Sequence, residues 1–184
     1  MQPNVKELKY REVVTHEGET FLVPQGIQRI DTRSTHGWQV RYQGTRMFSD
    51  GPIGARKALF LAVDELAERI ASLPAPVLLQ RAPSANKTSD LPPGVSGPIL
   101  RTRRRGNARS ASFSVLLPVY GKPSRIRSIY IGSESTYSQR YHEALERAVN
   151  LRAEAEIAYA EAATLARRRA ARGLKTNVRR VNAA

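Results

Sequence analysis

Two stretches of this chain run through the same order of signals, and that order restricts the folds open to it. Each begins with a Pro/Gly entrance, alternates apolar and polar residues, turns, continues in a short β-prone run, and ends in an apolar stripe at helical spacing. The first enters at Val23-Pro24-Gln25-Gly26-Ile27, turns at Gln43-Gly44 and passes through Thr45-Arg46-Met47-Phe48-Ser49-Asp50. The second enters at Leu91-Pro92-Pro93-Gly94-Val95, turns at Tyr120-Gly121-Lys122-Pro123 and passes through Arg125-Ile126-Arg127-Ser128-Ile129-Tyr130-Ile131. A period of two suits a half-buried strand, and a period near 3.6 suits a helix. Each block therefore predicts three strands and then a helix, and the shared order reads as a divergent duplication. The expected class is α+β: two small modules, each a three-stranded antiparallel sheet packed on one helix, the second helix long and extended.

The strand readings assign faces. In Trp38-Gln39-Val40-Arg41-Tyr42 the large apolar residues share one parity, so Trp38 and Tyr42 read as core and Gln39 and Arg41 as outward. Phe113 reads as core in the same way, and Ile129-Tyr130-Ile131 turns Tyr130 outward. After the first sheet, Leu59, Val63, Leu66, Ile70 and Leu73 step by four and three along a helix that Pro74 stops. The second helical run extends from about Thr136 to Arg172. Tyr137, Tyr141, Leu145 and Ala148 can cover its sheet. Beyond them Leu151, Ala155, Ala158, Ala162 and Leu165 form a narrow stripe that predicts pairing with another helix or with a second copy as a homodimer. The expected divisions are an N-terminal arm (1–22), a first module (23–78), a linker (79–92), a second module (93–172) and a basic tail (173–184). That tail has few apolar groups and is expected to be disordered.

The formal net charge is +14, and it is uneven. Counting Lys and Arg against Asp and Glu, residues 99–131 carry +8 and 164–184 carry +7, whereas the helical stretches 50–80 and 132–163 come to −1 and −3. Basic strands backed by neutral or acidic helices suit a sheet that meets a polyanion. No window approaches 18 uncharged apolar residues, so no membrane span is expected. Without cysteine there is no disulfide, thiolate nucleophile or sulfur-ligated zinc. Phosphate-binding, nucleophile-elbow and dinucleotide motifs are missing, and the four aspartates stand apart. His16, His36 and His142 stand at no metal-ligand spacing. The expectation is a non-enzymatic, cytoplasmic and nucleoid-associated protein with no cofactor and no metal.

The stretch Ile129-Tyr130-Ile131-Gly132-Ser133-Glu134-Ser135-Thr136, followed by a helix with Ala144-Leu145, resembles the plant ethylene-response-factor (APETALA-type) DNA-binding domain and its bacterial and phage integrase-type relatives. In the first block the similar residues are Gly26-Ile27, Trp38 to Tyr42, and Arg46-Met47-Phe48. There Asp50 replaces the family glycine after strand three, or Gly51 displaces it. In the second block Phe113 to Leu117 matches the second strand, without the family arginine just past it. The resemblance covers about two thirds of the chain. It implies that the sheet enters the DNA major groove, with Gln39, Arg41, Arg46 and Phe48 as contacts in the first block and Ser128 and Tyr130 in the second; Ser114 on the second strand is a further candidate contact.

Residue chemistry supplies further candidates. Arg forks onto guanine and Gln onto adenine in the major groove. Clustered cations at Arg101, Arg103, Arg104 and Arg105, together with Arg29, Arg33, Arg127, Arg167, Arg168 and Arg169, suit phosphates. The expected partner is double-stranded DNA, in transcription regulation or nucleoid organisation. RNA is the rival partner, because Tyr130 and Phe48, if outward, would stack unpaired bases. A protein-interaction module acting through the Ala-rich helix is the third reading.

Overall fold

The alternating stretches form strands and the striped stretches form helices in the computed structural model, which describes residues 8–83, 86–87, 89–102, 109–133 and 135–183. Among these, the fold is α+β, with three antiparallel sheets of two, three and three strands and three helices, one of them long. The chain divides into two compact units: Met1–Pro76 with Ala163–Ala184, and Val77–Ala162.

In the first unit, β1 (Tyr10–Val14) and β2 (Thr20–Pro24) pair as a hairpin, so much of the segment expected as an arm is a strand pair. Alternation explains it: Phe21 and Val23 share one face of β2 and both are buried. The second sheet has the order β3 (Ile27–Asp31), β4 (His36–Arg41), β5 (Thr45–Ser49). A 3-10 turn at Gly51–Ile53 leads into α1 (Gly54–Ser72). The apolar stripe Leu59, Val63, Leu66 and Ile70 buries against Ile27, Trp38 and Val40. Trp38 is fully buried, and its Nε1 donates to the Ala55 carbonyl at 2.7 Å, so the indole leaves no orphaned donor in the core.

The basic tail is not disordered. Residues Leu174–Val181 form α3, and Leu174 and Val178, one turn apart, are buried in the core of the first unit. Lys175 and Arg179 pair with Asp64 of α1 at 3.5 and 2.8 Å. Asn182 then closes on Leu22 of β2: its Oδ1 accepts from the Leu22 N–H at 2.8 Å and its Nδ2 donates to the Leu22 carbonyl at 3.1 Å. Few apolar groups suffice because these two fall on one helix face, and the cations around them meet an acidic helix.

The second unit holds β6 (Val95–Thr102), β7 (Arg109–Val119) and β8 (Lys122–Ser133), in that order across the sheet. The long helix α2 (Tyr137–Ala170) contributes its residues up to Ala162 here. Phe113, Val115, Ile131, Ala144 and Ala148 form the core, with Tyr141 edge-on to Phe113 at 5.3 Å. A side chain at Gly132 would put Cβ 2.6 Å from Thr136 Oγ1, so only glycine lets the sheet run this close to the start of α2.

Candidate nucleic-acid interface

Directly paired residues of an antiparallel sheet project to the same side, so register decides which candidates share a face. In the first unit, Gln39 pairs with Gln28 and Met47, and Arg41 with Thr45. Those residues turn away from α1, as expected for Gln39 and Arg41, and Arg41 Nε donates to Gln39 Oε1 at 2.6 Å. Arg46 and Phe48 pair with Val40 and Trp38 and therefore lie on the helix side. This corrects their assignment as outward contacts. Arg46 donates to Glu65 Oε2 of α1 at 2.6 Å and stacks over the Phe48 ring, which packs against the core.

Arg29 is corrected too. It pairs with Trp38, lies 4.8 Å from that ring and is only 6% exposed. Its guanidinium forks onto Asp31 (Nη2 to Oδ1, 2.7 Å) and Asp50 (Nη2 to Oδ2, 2.6 Å). Burial alone would lower its pKa, but these carboxylates outweigh burial and raise it. Arg33 stands exposed in the turn between β3 and β4 rather than on a strand. At the end of α2, Arg167 Nη2 donates to the Gln25 carbonyl and Arg168 Nε to the Ile70 carbonyl, so both hold backbone within the first unit. Arg169 is exposed beside them. Burial raises the pKa of the nearby Tyr42, against the opposing charges of Arg167 and Arg168.

The second sheet brings more of the candidates together. Ser114 pairs with Ser128, Ser112 with Tyr130, and Arg101 with Ser110, so Arg101, Ser114, Ser128 and Tyr130 share the side away from α2. Tyr130 is 47% exposed. Arg127 pairs with Val115 and falls on the opposite side, together with Arg125. Residues 122–128 are all exposed, although α2 reaches this part of the hairpin: Tyr159 meets Tyr120 edge-on at 5.5 Å, and Arg140, Glu143 and Arg147 line a cavity with Arg127. Among the described residues, Arg101 is the one arginine on the outward side, and the other strand cations sit on the reverse side of the hairpin or on its edge. Arg103, Arg104 and Arg105 lie outside the described residues. Leu78, Pro83 and Lys87 border Ser114, Leu116 and Ile126 around a cavity of about 560 Å³.

One cluster escaped the sequence reading. His16, in the β1–β2 turn, stacks on His36, the first residue of β4, with ring centroids 3.7 Å apart and 18° between planes. Asp31 Oδ1 lies 3.0 Å from His36 Nδ1 and 3.4 Å from His16 Nδ1. Asp31 is held down to about 2 chiefly by its hydrogen bond from Arg29, with His36 assisting and burial opposing. Spacing along the chain hid the cluster because its members come from two hairpins; only the pairing of Asp31 with His36 across the β3–β4 turn was open to inference.

Neither protein-family models, nor curated proteins, nor solved structures give a match to this chain.

Proposed function

We propose that this chain is a non-enzymatic double-stranded DNA-binding protein, a transcriptional regulator or nucleoid factor, whose second sheet is the principal contact. The observation that carries the reading is the exposed β7–β8 hairpin. Arg101, Ser114, Ser128 and Tyr130 project on one side of its sheet, and Lys122, Arg125 and Arg127 stand exposed on the edge strand β8. The major groove admits a β-ribbon. Serines and Tyr130 meet base edges and thymine methyl groups, while long edge-strand arginines reach past the ribbon to the phosphates. The two units act as tandem contacts, the second through its three-stranded sheet and the first through a three-stranded sheet whose core the β1–β2 hairpin and α3 complete. The first adds a weak contact through Gln39 and Arg41, which raises apparent affinity through effective concentration.

Fluorescence anisotropy with labelled duplex at several salt concentrations tests this. If Arg101, Arg109, Lys122, Arg125 and Arg127 each neutralise a phosphate, log K against log salt falls with a slope of about −4.5. Arg127→Ala weakens all duplexes alike and makes the slope shallower by about 1, whereas Tyr130→Ala alters sequence preference. A flat salt response rejects the proposal. Stronger competition from single-stranded RNA than from duplex transfers the site to RNA, for which the exposed Tyr130 is a stacking platform.

A further inference from the structure

We infer that His16, Asp31 and His36 form a binding site for one divalent metal ion of the zinc class. The inference does not depend on the DNA reading.

Backbone pairing fixes the three residues. Asp31 and His36 are register partners that close the β3–β4 hairpin, where Thr32 N–H donates to the Thr35 carbonyl at 2.9 Å. His16 sits in a turn closed by Thr15 N–H to the Glu19 carbonyl, also at 2.9 Å. Their ligand atoms all lie within 4.8 Å of one another. Zinc–nitrogen and zinc–oxygen bonds of about 2.0–2.1 Å in a tetrahedron set neighbouring ligand atoms about 3.4 Å apart. The distances from Asp31 Oδ1 to the two ring nitrogens, 3.0 and 3.4 Å, are close to that edge.

The surrounding groups suit a metal. Asp50 takes Arg29 on both terminal nitrogens, at 3.0 and 2.6 Å. Arg29 grips the Asp31 carboxylate on both oxygens, Nε to Oδ2 at 2.9 Å and Nη2 to Oδ1 at 2.7 Å, which orients it and leaves the second lone pair of Oδ1 for an ion; Arg29 Nη2 also stands 3.4 Å from His16 Nδ1, so the guanidinium must give way there as the imidazole turns to a metal. Two carboxylates around one guanidinium leave one negative charge for a cation to neutralise. Glu17 Oε1 stands 3.7 Å from His16 Nε2, the ring nitrogen that does not face Asp31. Two imidazoles and one carboxylate favour zinc, nickel or copper over magnesium or calcium, which take oxygen ligands. Nearly parallel rings cannot aim both in-plane lone pairs at one point, so binding must swing the imidazoles apart. Both rings are about one third exposed, 37% for His16 and 31% for His36, which leaves room for that rotation and for water in the fourth position.

Titrating the full chain with Zn²⁺, followed by calorimetry and by imidazole NMR, tests the site. The expected result is one ion per chain. The His16 and His36 resonances shift and lose the ring-current effect of their stack, and His142 does not move. His16→Ala and His36→Ala each weaken Zn²⁺ binding by about tenfold or more, with His142→Ala unchanged. Mg²⁺ at the same concentrations does not bind. Absence of saturable binding, or an equal loss in His142→Ala, overturns the inference. If a histidine variant loses its fold by circular dichroism, the wild-type imidazole shifts decide.

Discussion

Several arginines of this basic chain serve the fold rather than a partner. Arg29 is the clearest, with its guanidinium inside the first unit against Trp38 and between Asp31 and Asp50. Removing one member of such a group strands the others, at about 3–5 kcal/mol for a buried pair. Arg29→Ala is therefore expected to lower the urea-unfolding free energy by that order, and Arg29→Lys to recover little, since an ammonium cannot fork onto two carboxylates. A loss under about 1 kcal/mol would show that the side chain is dispensable. Glu65 makes a pH-dependent contribution. Its hydrogen bond from Arg69, aided by Arg46, holds it below the ordinary value of 4.5 despite burial. A carboxylate lowered on folding stabilises the protein fully above that ordinary value, and the stabilisation fades as pH falls through the lowered one. The stability gap between wild type and Glu65→Gln should be constant near neutrality and close in acid. Urea titrations at stepped pH measure it.

Strands differ in how far their faces could be inferred before the fold was seen. Trp38 to Tyr42 alternates strictly between large apolar and polar side chains, and its parity was legible. The β5 run Thr45-Arg46-Met47-Phe48-Ser49 places two apolar residues side by side, so its phase was open by one residue, and one residue exchanges the faces. Arg125 and Arg127 continue the parity of Ile129 and Ile131 into a part of the hairpin whose β8 residues are exposed, where apolar pattern and burial no longer agree. Helix α3 was missed for another reason: eight residues with two buried side chains leave little signal in composition, and their partners are distant in sequence. The element can be tested through its core residues. Leu174→Ala is expected to cost about 2–5 kcal/mol, as for other large-to-small core changes. Asn182→Ala, which removes both links to Leu22, is expected to cost about 1–3 kcal/mol. Thermal unfolding followed by circular dichroism reads both, and unchanged midpoints would mean that α3 is detached in solution.

For the whole molecule, the charge that suggested a polyanion partner is divided between two tasks. In the first unit, much of it is used internally: Arg29, Arg46, Arg69, Lys175 and Arg179 all face carboxylates. In the second unit, the cations of β8 stand exposed. Under the proposed function, DNA affinity should therefore depend mainly on residues 77–162. Arg125→Ala together with Arg127→Ala is expected to weaken duplex binding about tenfold or more at moderate salt, each lost phosphate contact being felt by all sequences. Arg41→Ala should cost less. Equal losses from the two changes, measured by anisotropy, would place the contact in both units alike. The first unit, meanwhile, is discontinuous along the chain, its last helix encoded beyond the entire second unit. During synthesis on the ribosome, its two sheets and α1 must wait with an incomplete interior until that distant segment emerges, so a premature stop codon shortly before Leu174 would damage a unit most of which is made long before that codon is read.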